Sequence, residues 1–296
     1  MGEGLPPPEV KVETFLINIL NGFCYGMLLF IISVGLTIIF GVMGVLNFAH
    51  GSFYMLGAYL CLFITSHSSN FWLSLLLAPL GVALLGVAAE VFLLRPIYSR
   101  DASFQLLLTF GLLLILDDAV KLIWGAGYHS VEPPKMLSGT VSILGSTYPI
   151  YSLFIAALGP ILAASIWLFF HKTPHGRMIR AAAMDREMAA AVGINVPLLF
   201  SAVFFMGTYL AGLAGVLAAP LRAIGPAMGD NIIISAFIVV VIGGLGSFPG
   251  AFAGAVILGL VESLGIQFVP RLQMALPYIL LALVLLIRPK GLFGRE

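Results

Sequence analysis

At 296 residues, with 60% hydrophobic and 9% charged residues and a mean hydropathy of +1.10, the chain is too apolar for a soluble globule, whose apolar share is roughly 45–50%. It reads as a polytopic membrane protein. The formal net charge is +1 and the bases form no stripe or tail, which excludes nucleic acid as a partner.

The opening segment, MGEGLPPPEVKVE, is acidic and proline-rich, unlike the positively charged start of a signal peptide, so the first apolar run is expected to stay as a span. Runs long enough to cross a hydrocarbon core of roughly 30 Å, about 20 residues each, lie near 14–40, 52–67, 71–94, 103–124, 148–170, 198–219, 232–246, 250–268 and 274–288. The second, seventh and last are short or broken by Gly or Pro. The expected fold is therefore an all-α helical bundle of about eight to ten spans, a single transmembrane domain over 1–296 with no room for a soluble one. Cys24 and Cys61 both fall inside apolar runs and suit small buried hydrophobes better than a disulfide, a metal site or a nucleophile.

Orientation follows from Lys and Arg in the short loops. One set of alternate loops holds nine: Arg95, Arg100, Lys172, Arg177, Arg180, Arg186, Arg288, Lys290 and Arg295. The other holds four: Lys11, Lys135, Arg222 and Arg271. The richer set, including the 171–197 loop and the C-terminus, belongs in the cytoplasm. The 125–147 segment then lies outside, with turn formers and alternating Thr, Val and Ile but nothing catalytic, and is expected to cap the outer mouth.

The longest charged break, His171 to Pro197, reads as a helix outside the bilayer. Thr173 serves as N-cap, Pro174 takes the first helical position, the interior is rich in Ala and Met, and Gly193 followed by Pro197 ends it. Its charges at 177, 180, 185, 186 and 187 do not fall on one face.

Two segments are punctuated by glycine: Gly41 to Gly51, which contains Asn47 and His50, and Gly243 to Gly250, which contains Gly246 and Ser247. Setting Gly44 on Gly243 matches Leu46 with Leu245, Gly51 with Gly250 and Phe53 with Phe252, as in transporters built from two related halves. On that reading the two breaks face each other near mid-membrane. Backbone groups freed there must be buried in protein or line a wet cavity. Asn47, His50, Gly51, Ser52, Tyr54, Gly246 and Ser247 are thus candidates for the route of a polar solute. The alternative is local: Asn47 caps the helix after it and His50 bonds a neighbouring carbonyl.

Other ionisable residues in spans are few, and each is a functional candidate. Asp117 and Asp118 have Lys121 on the same helix face, which favours a paired charge cluster near the interface over a proton relay. Glu90 is within reach of Arg95, and Glu262 has no partner in sequence and suits a helix-to-helix hydrogen bond. There is no G-x-x-x-x-G-K-S/T phosphate loop, H-E-x-x-H, G-x-S-x-G or Cys/His array, so neither an enzyme nor a cofactor or metal is expected. Small residues at Gly207, Ala211 and Gly215, and at Gly250 and Gly254, favour close helix packing.

Five blocks carry a resemblance over nearly the whole chain: GVMGVLNFAHGSFYMLGAYL (41–60), TFGLLLILDDAVKLIWG (109–125), GRMIRAAAMDREMAAAVGIN (176–195), IGGLGSFPGAFAGAVILGLVE (242–262) and RPKGLFG (288–294). In these the chain resembles the LivH-type permeases of branched-chain amino acid ABC importers. The resemblance implies an importer of the bacterial inner membrane with a periplasmic binding protein, two related permease subunits and two cytoplasmic ABC ATPases. Its cytoplasmic loop would dock on the ATPase through Gly176, Arg177, Arg180, Asp185, Arg186, Glu187 and Gly193. The matching region reads Ala181 to Ala183 where importers of other folds begin Glu-Ala-Ala. Relatives of the family also carry urea, amides or small aromatic acids, and a stand-alone ion-coupled transporter using Asp117, Asp118 or Glu262 is the reading from a different class.

Overall fold

A computed structural model describes residues 12–143 and 145–294; the expectations for the segment up to Lys11 and for Arg295 lie outside the described residues. Each apolar run of the sequence is a helix: α1 (Val12–Met43), α2 (His50–Ser68), α3 (Phe71–Ala89), α4 (Ala102–Trp124), α5 (Ile150–Lys172), α8 (Val196–Ala218), α9 (Met228–Gly243), α10 (Phe248–Phe268) and α11 (Leu276–Ile287). Two further helices, α6 (Pro174–Met184) and α7 (Arg186–Ala191), occupy the charged break. Helix α3 runs on through a π-helical turn (Glu90–Leu94) and a 3-10 turn (Arg95–Ile97).

Five helices are long and apolar enough to cross a membrane: α1, α3 with its extension, α5, α8 and α10. The chain is a multi-pass membrane protein. Helix α4 has the length, but Asp117, Asp118 and Lys121 lower its hydropathy. With 16 and 12 residues, α9 and α11 reach only about 24 and 18 Å, short of a core of roughly 30 Å.

Helix α1 is the centre of the bundle. Its apolar window is 89% buried, against 33% in α3 and α10 and 22% in α5, and it is apolar all round, as a helix with protein on every side must be. It runs antiparallel to α10 along a small-residue seam in which Gly22 meets Gly259 and Gly26 meets Ala255. The Asn18 amide donates to Gln267 at 2.7 Å, and Phe30 stacks edge-on to Phe252. In α8, Gly207 faces Gly35 and Ile39 of α1, Gly212 faces Val82 of α3, and Gly215 faces the Tyr54 backbone of α2. Small residues on three sides let one helix touch three others closely.

At the end of the bundle opposite α6 and α7, the 125–147 segment carries the only regular strands among the described residues, β1 (Thr140–Ile143) and β2 (Ser146–Pro149), an antiparallel hairpin pairing Val141 with Tyr148. Its alternating Thr, Val and Ile become this hairpin. Further back, His129 and Ile224 exchange two backbone hydrogen bonds of 2.9 and 2.8 Å, which pins this segment to the α8–α9 loop.

The single helix expected over 171–197 is two. Thr173 caps α6 as expected, its Oγ1 accepting from the Gly176 N–H at 3.0 Å. Asp185 then leaves helical geometry (φ −151°, ψ 109°) and caps α7 by accepting from the Met188 N–H at 2.9 Å. An Asp side chain competes well for free N–H groups, so the chain restarts there. Gly193, at φ +90°, closes α7 with Gly193 N–H to Ala190 O and Ile194 N–H to Ala189 O. Pro197 does not end this helix but opens α8, behind the Asn195 cap.

The two glycine breaks adjoin, Gly41 lying against Gly246. They do so at the ends of α1 and α9, beside α6 and α7, and not at mid-depth. The residues that turn the chain at these helix ends are Gly44 (φ +69°) and Gly244 (φ +101°), which the Gly44–Gly243 match does not pair.

Candidate coupling and transit sites

A helix end leaves its last carbonyls without intrahelical donors, and α1 and α9 end side by side. At α1, Gly44 stops the helix and the guanidinium of Arg186 takes over. Its Nη2 donates to Met43 O at 2.6 Å and to Val42 O at 3.5 Å. The same guanidinium lies 5.1 Å from the ring centroid of Phe200, in the first turns of α8. One side chain of the α6–α7 loop therefore touches the central helix and the helix after the loop.

At α9 the donors come from the chain's own tail. Leu292 N–H donates to Ile242 O at 2.8 Å and Phe293 N–H to Gly243 O at 3.0 Å. Gly291 and Gly294 allow this by bringing the tail's backbone against Gly244. Of the residues expected to line a route here, Ser247 caps α10 by accepting from Gly250 N–H at 3.2 Å, and Gly246 is exposed beside Gly41.

The α6–α7 pair has a buried side and an open one. Gly176 sits against the backbone of Phe169 and Phe170, where any side chain would collide, and Ile179, Ala182 and Ala189 are buried. Arg177, Arg180, Asp185, Arg186 and Glu187 are exposed. Between them stand three exposed apolar side chains, Met184 (83%), Val192 (69%) and Met188 (61%). Met184 closes α6 and Met188 and Val192 lie in and just after α7, on either side of the break at Asp185, so their spacing of four does not mark one helix face.

The first break feeds α2. His50 is fully buried, and its Nε2 lies 3.0 Å from Ile32 O, well before the end of α1, so α2 begins inside the bundle. Asn47 does not cap α2: the N-cap position is Ala49, without a side-chain bond. Both Asn47 amide atoms are buried with no partner among the described residues. Gly51 packs on Gly229 of α9. Ser52 Oγ donates to Asp117 Oδ1 at 3.3 Å. Tyr54 faces a cavity shared with Arg222. The structure thus gathers 47, 50, 51, 52 and 54 around the start of α2, and leaves Gly246 and Ser247 apart at the α9–α10 turn.

With this geometry in view, comparison with known proteins is decisive. A family profile described as the branched-chain amino acid transport system permease component matches residues 18–285. The chain belongs to this permease family. It is 29% identical to the high-affinity branched-chain amino acid transport system permease protein BraD of Pseudomonas aeruginosa, covering 96% of this chain and 97% of that one. It is 30% identical to LivH of Escherichia coli K12, over 95% and 96% of the two chains. The permease LivM of Salmonella typhimurium is 24% identical over 90% of this chain and 68% of its own. No solved structure matches significantly. Members of this family are the membrane components of ABC transport systems, in which ATP hydrolysis belongs to partner subunits.

In this permease the acidic residues separate by role. Asp118 pairs with Lys121 at 2.9 Å on the exposed face, as expected, but Asp117 turns inward to Ser52 and lies beside Asp230 of α9. Glu90 is fully buried and held by Arg95 Nη2 at 3.1 Å, Ser201 Oγ at 2.6 Å and the Tyr98 hydroxyl at 2.7 Å, which joins α3 to α8. Burial, and the Glu90 carboxylate beside it, push the Tyr98 phenol up, so it remains a donor. Glu262 has Tyr25 and Arg222 within electrostatic reach. Asp230 and Arg222 were not recognised as site residues from sequence. Both lie in or beside the short α8–α9 connection, where nothing but their charge sets them apart.

Proposed function

We propose that the chain is one transmembrane subunit of an ATP-driven importer for branched-chain or other hydrophobic amino acids, handed over by a periplasmic binding protein. The family description and the names of BraD and LivH support the substrate class. The whole chain works as a single transmembrane permease domain in the bacterial inner membrane. The excess of Lys and Arg assigns α6, α7 and the C-terminal segment to the cytoplasm. The similarity to LivM supports a related sister chain as the second permease subunit.

The observation that carries the mechanism is Arg186. An exposed helix pair that presents Met184, Met188 and Val192 to solvent is a surface on which a cytoplasmic ATPase docks, and Arg186 links it to the last carbonyls of the central helix. When ATP closes the ATPase pair, the loop moves, and the end of α1 moves with it. A force applied there reaches the start of α2, because the two helices are separated only by residues 44–49.

The complete complex in proteoliposomes should take up leucine only with ATP inside and binding protein outside; uptake on an ion gradient alone overturns the reading. Arg180→Glu and Met188→Glu, both on the open side of the loop, should lower uptake about tenfold or more while the protein still inserts. Wild-type uptake in both would move the docking surface elsewhere.

A further inference from the structure

Away from the coupling loop, one cavity holds an arginine that, among the described residues, is paired with no carboxylate. Its volume is about 290 Å³, and its wall includes Tyr25 of α1, Tyr54 of α2, Asn231 and Ser235 of α9, Tyr128 of the hairpin segment, and Arg222. Arg222 follows the end of α8, held by its N–H to Ala218 O at 3.1 Å, and its side chain is exposed. The guanidinium carbon lies 4.7 Å from the ring centroid of Tyr25. Among the described residues no carboxylate stands within 4.0 Å of it, the ion pairs being Arg95 with Glu90 and Lys121 with Asp118.

Arg186 is engaged with carbonyls and Arg95 with Glu90, whereas Arg222, among the described residues, has the Tyr25 hydroxyl as its side-chain partner and no paired carboxylate, so most of its five donors remain for a ligand. A planar guanidinium fits a carboxylate with two parallel hydrogen bonds. Met228, the first residue of α9, also lines the cavity, and the first turn of that helix carries Asp230, which lies beside Asp117. Three tyrosine rings offer apolar faces, and Glu262, outside the lining, lies within electrostatic reach of Arg222. The volume corresponds to roughly ten waters, the size class of one free amino acid.

We propose that this cavity is a transit subsite for a free amino acid, whose α-carboxylate is anchored by Arg222. The proposal rests on the importer reading above and names where on that route the solute is held. Tyr54 is then the one member of the first-break group that meets the solute directly.

The test uses the whole importer in proteoliposomes, with cysteine-free partner subunits and leucine-loaded binding protein. Arg222→Gln and Arg222→Cys should each lower leucine uptake about tenfold, while ATP hydrolysis stimulated by binding protein is retained. Cys24 and Cys61 are buried, so in Arg222→Cys the thiol at 222 is the one that a methanethiosulfonate reagent reaches from outside. Modification with the ethylammonium reagent restores a positive charge and should raise uptake about threefold or more; the ethylsulfonate reagent, with a negative charge, should not. Unchanged uptake in Arg222→Gln, failure of the thiol to label, or an equal response to the two reagents overturns the subsite and leaves the importer reading standing. If neither variant assembles, Arg222 is structural and the proposal falls as well. The importer reading fails separately, in the wild-type control, if uptake ignores ATP or binding protein.

Discussion

The ends of α1 and α9 lie against each other and pose the same problem, but it is solved by different means. The carbonyls of α1 accept from a side chain on a loop with one face open to solvent. Those of α9 accept from backbone N–H groups of a tail bound along the helix end. A side-chain bond to a loop is conditional on where that loop stands, whereas paired backbone is part of the fold itself. The difference assigns transmission to the α1 end and anchorage to the α9 end, although both are built from the same glycine-rich kind of sequence.

Three substitutions probe that contrast. The largest effect belongs to Arg186→Ala, which removes a charge-assisted donor from two carbonyls, an interaction of about 1.5–3 kcal/mol. ATP-driven uptake should fall about tenfold to a hundredfold, with Arg186→Lys between it and wild type. The measurement is uptake beside ATP hydrolysis in the same vesicles, and hydrolysis should persist after uptake is lost.

Next comes Gly244→Ala. It forces a side chain onto a residue at φ +101° and against the backbone of Gly294 and Lys290, at a cost of about 1–3 kcal/mol. The purified complex should melt at lower temperature with uptake per folded complex unchanged. If instead Gly244→Ala abolished uptake without lowering the melting temperature, the α9 end would be a second transmission point and the contrast would collapse. The smallest effect is expected from Asp118→Asn, which breaks an exposed pair with Lys121 and should leave stability and uptake at wild-type levels. A loss of uptake there would revive the paired-aspartate reading.

The helices were legible because a membrane demands long apolar runs, and the caps at Thr173 and Gly193 were legible because those residue types carry their own local chemistry. The break at Asp185 carried a local signal too, but it was hidden in an Ala- and Met-rich stretch that reads as continuous helix. Partners distant in the chain were another matter. Arg186 bonds to carbonyls 143 and 144 residues away, and a backbone carbonyl leaves no mark in a sequence. Ser52 and Asp117 are 65 residues apart, and only folding shows that Asp117 faces inward while its neighbour Asp118 faces out. Arg222 could be counted among the bases, but its cavity is assembled from four separate parts of the chain.

The enclosure of α1 from Gly22 onward also sets an order of events during synthesis. This helix is made before α2 to α11, yet the helices it packs against most closely include α8 and α10, which are made up to roughly 200 residues later. At about 5–20 residues per second, α1 waits on the order of 10–40 s for its neighbours, with lipid around a surface that ends up almost wholly covered by protein. Its all-round apolarity is what makes that wait tolerable. The seam of α1 closes only when the much later α10 arrives against it.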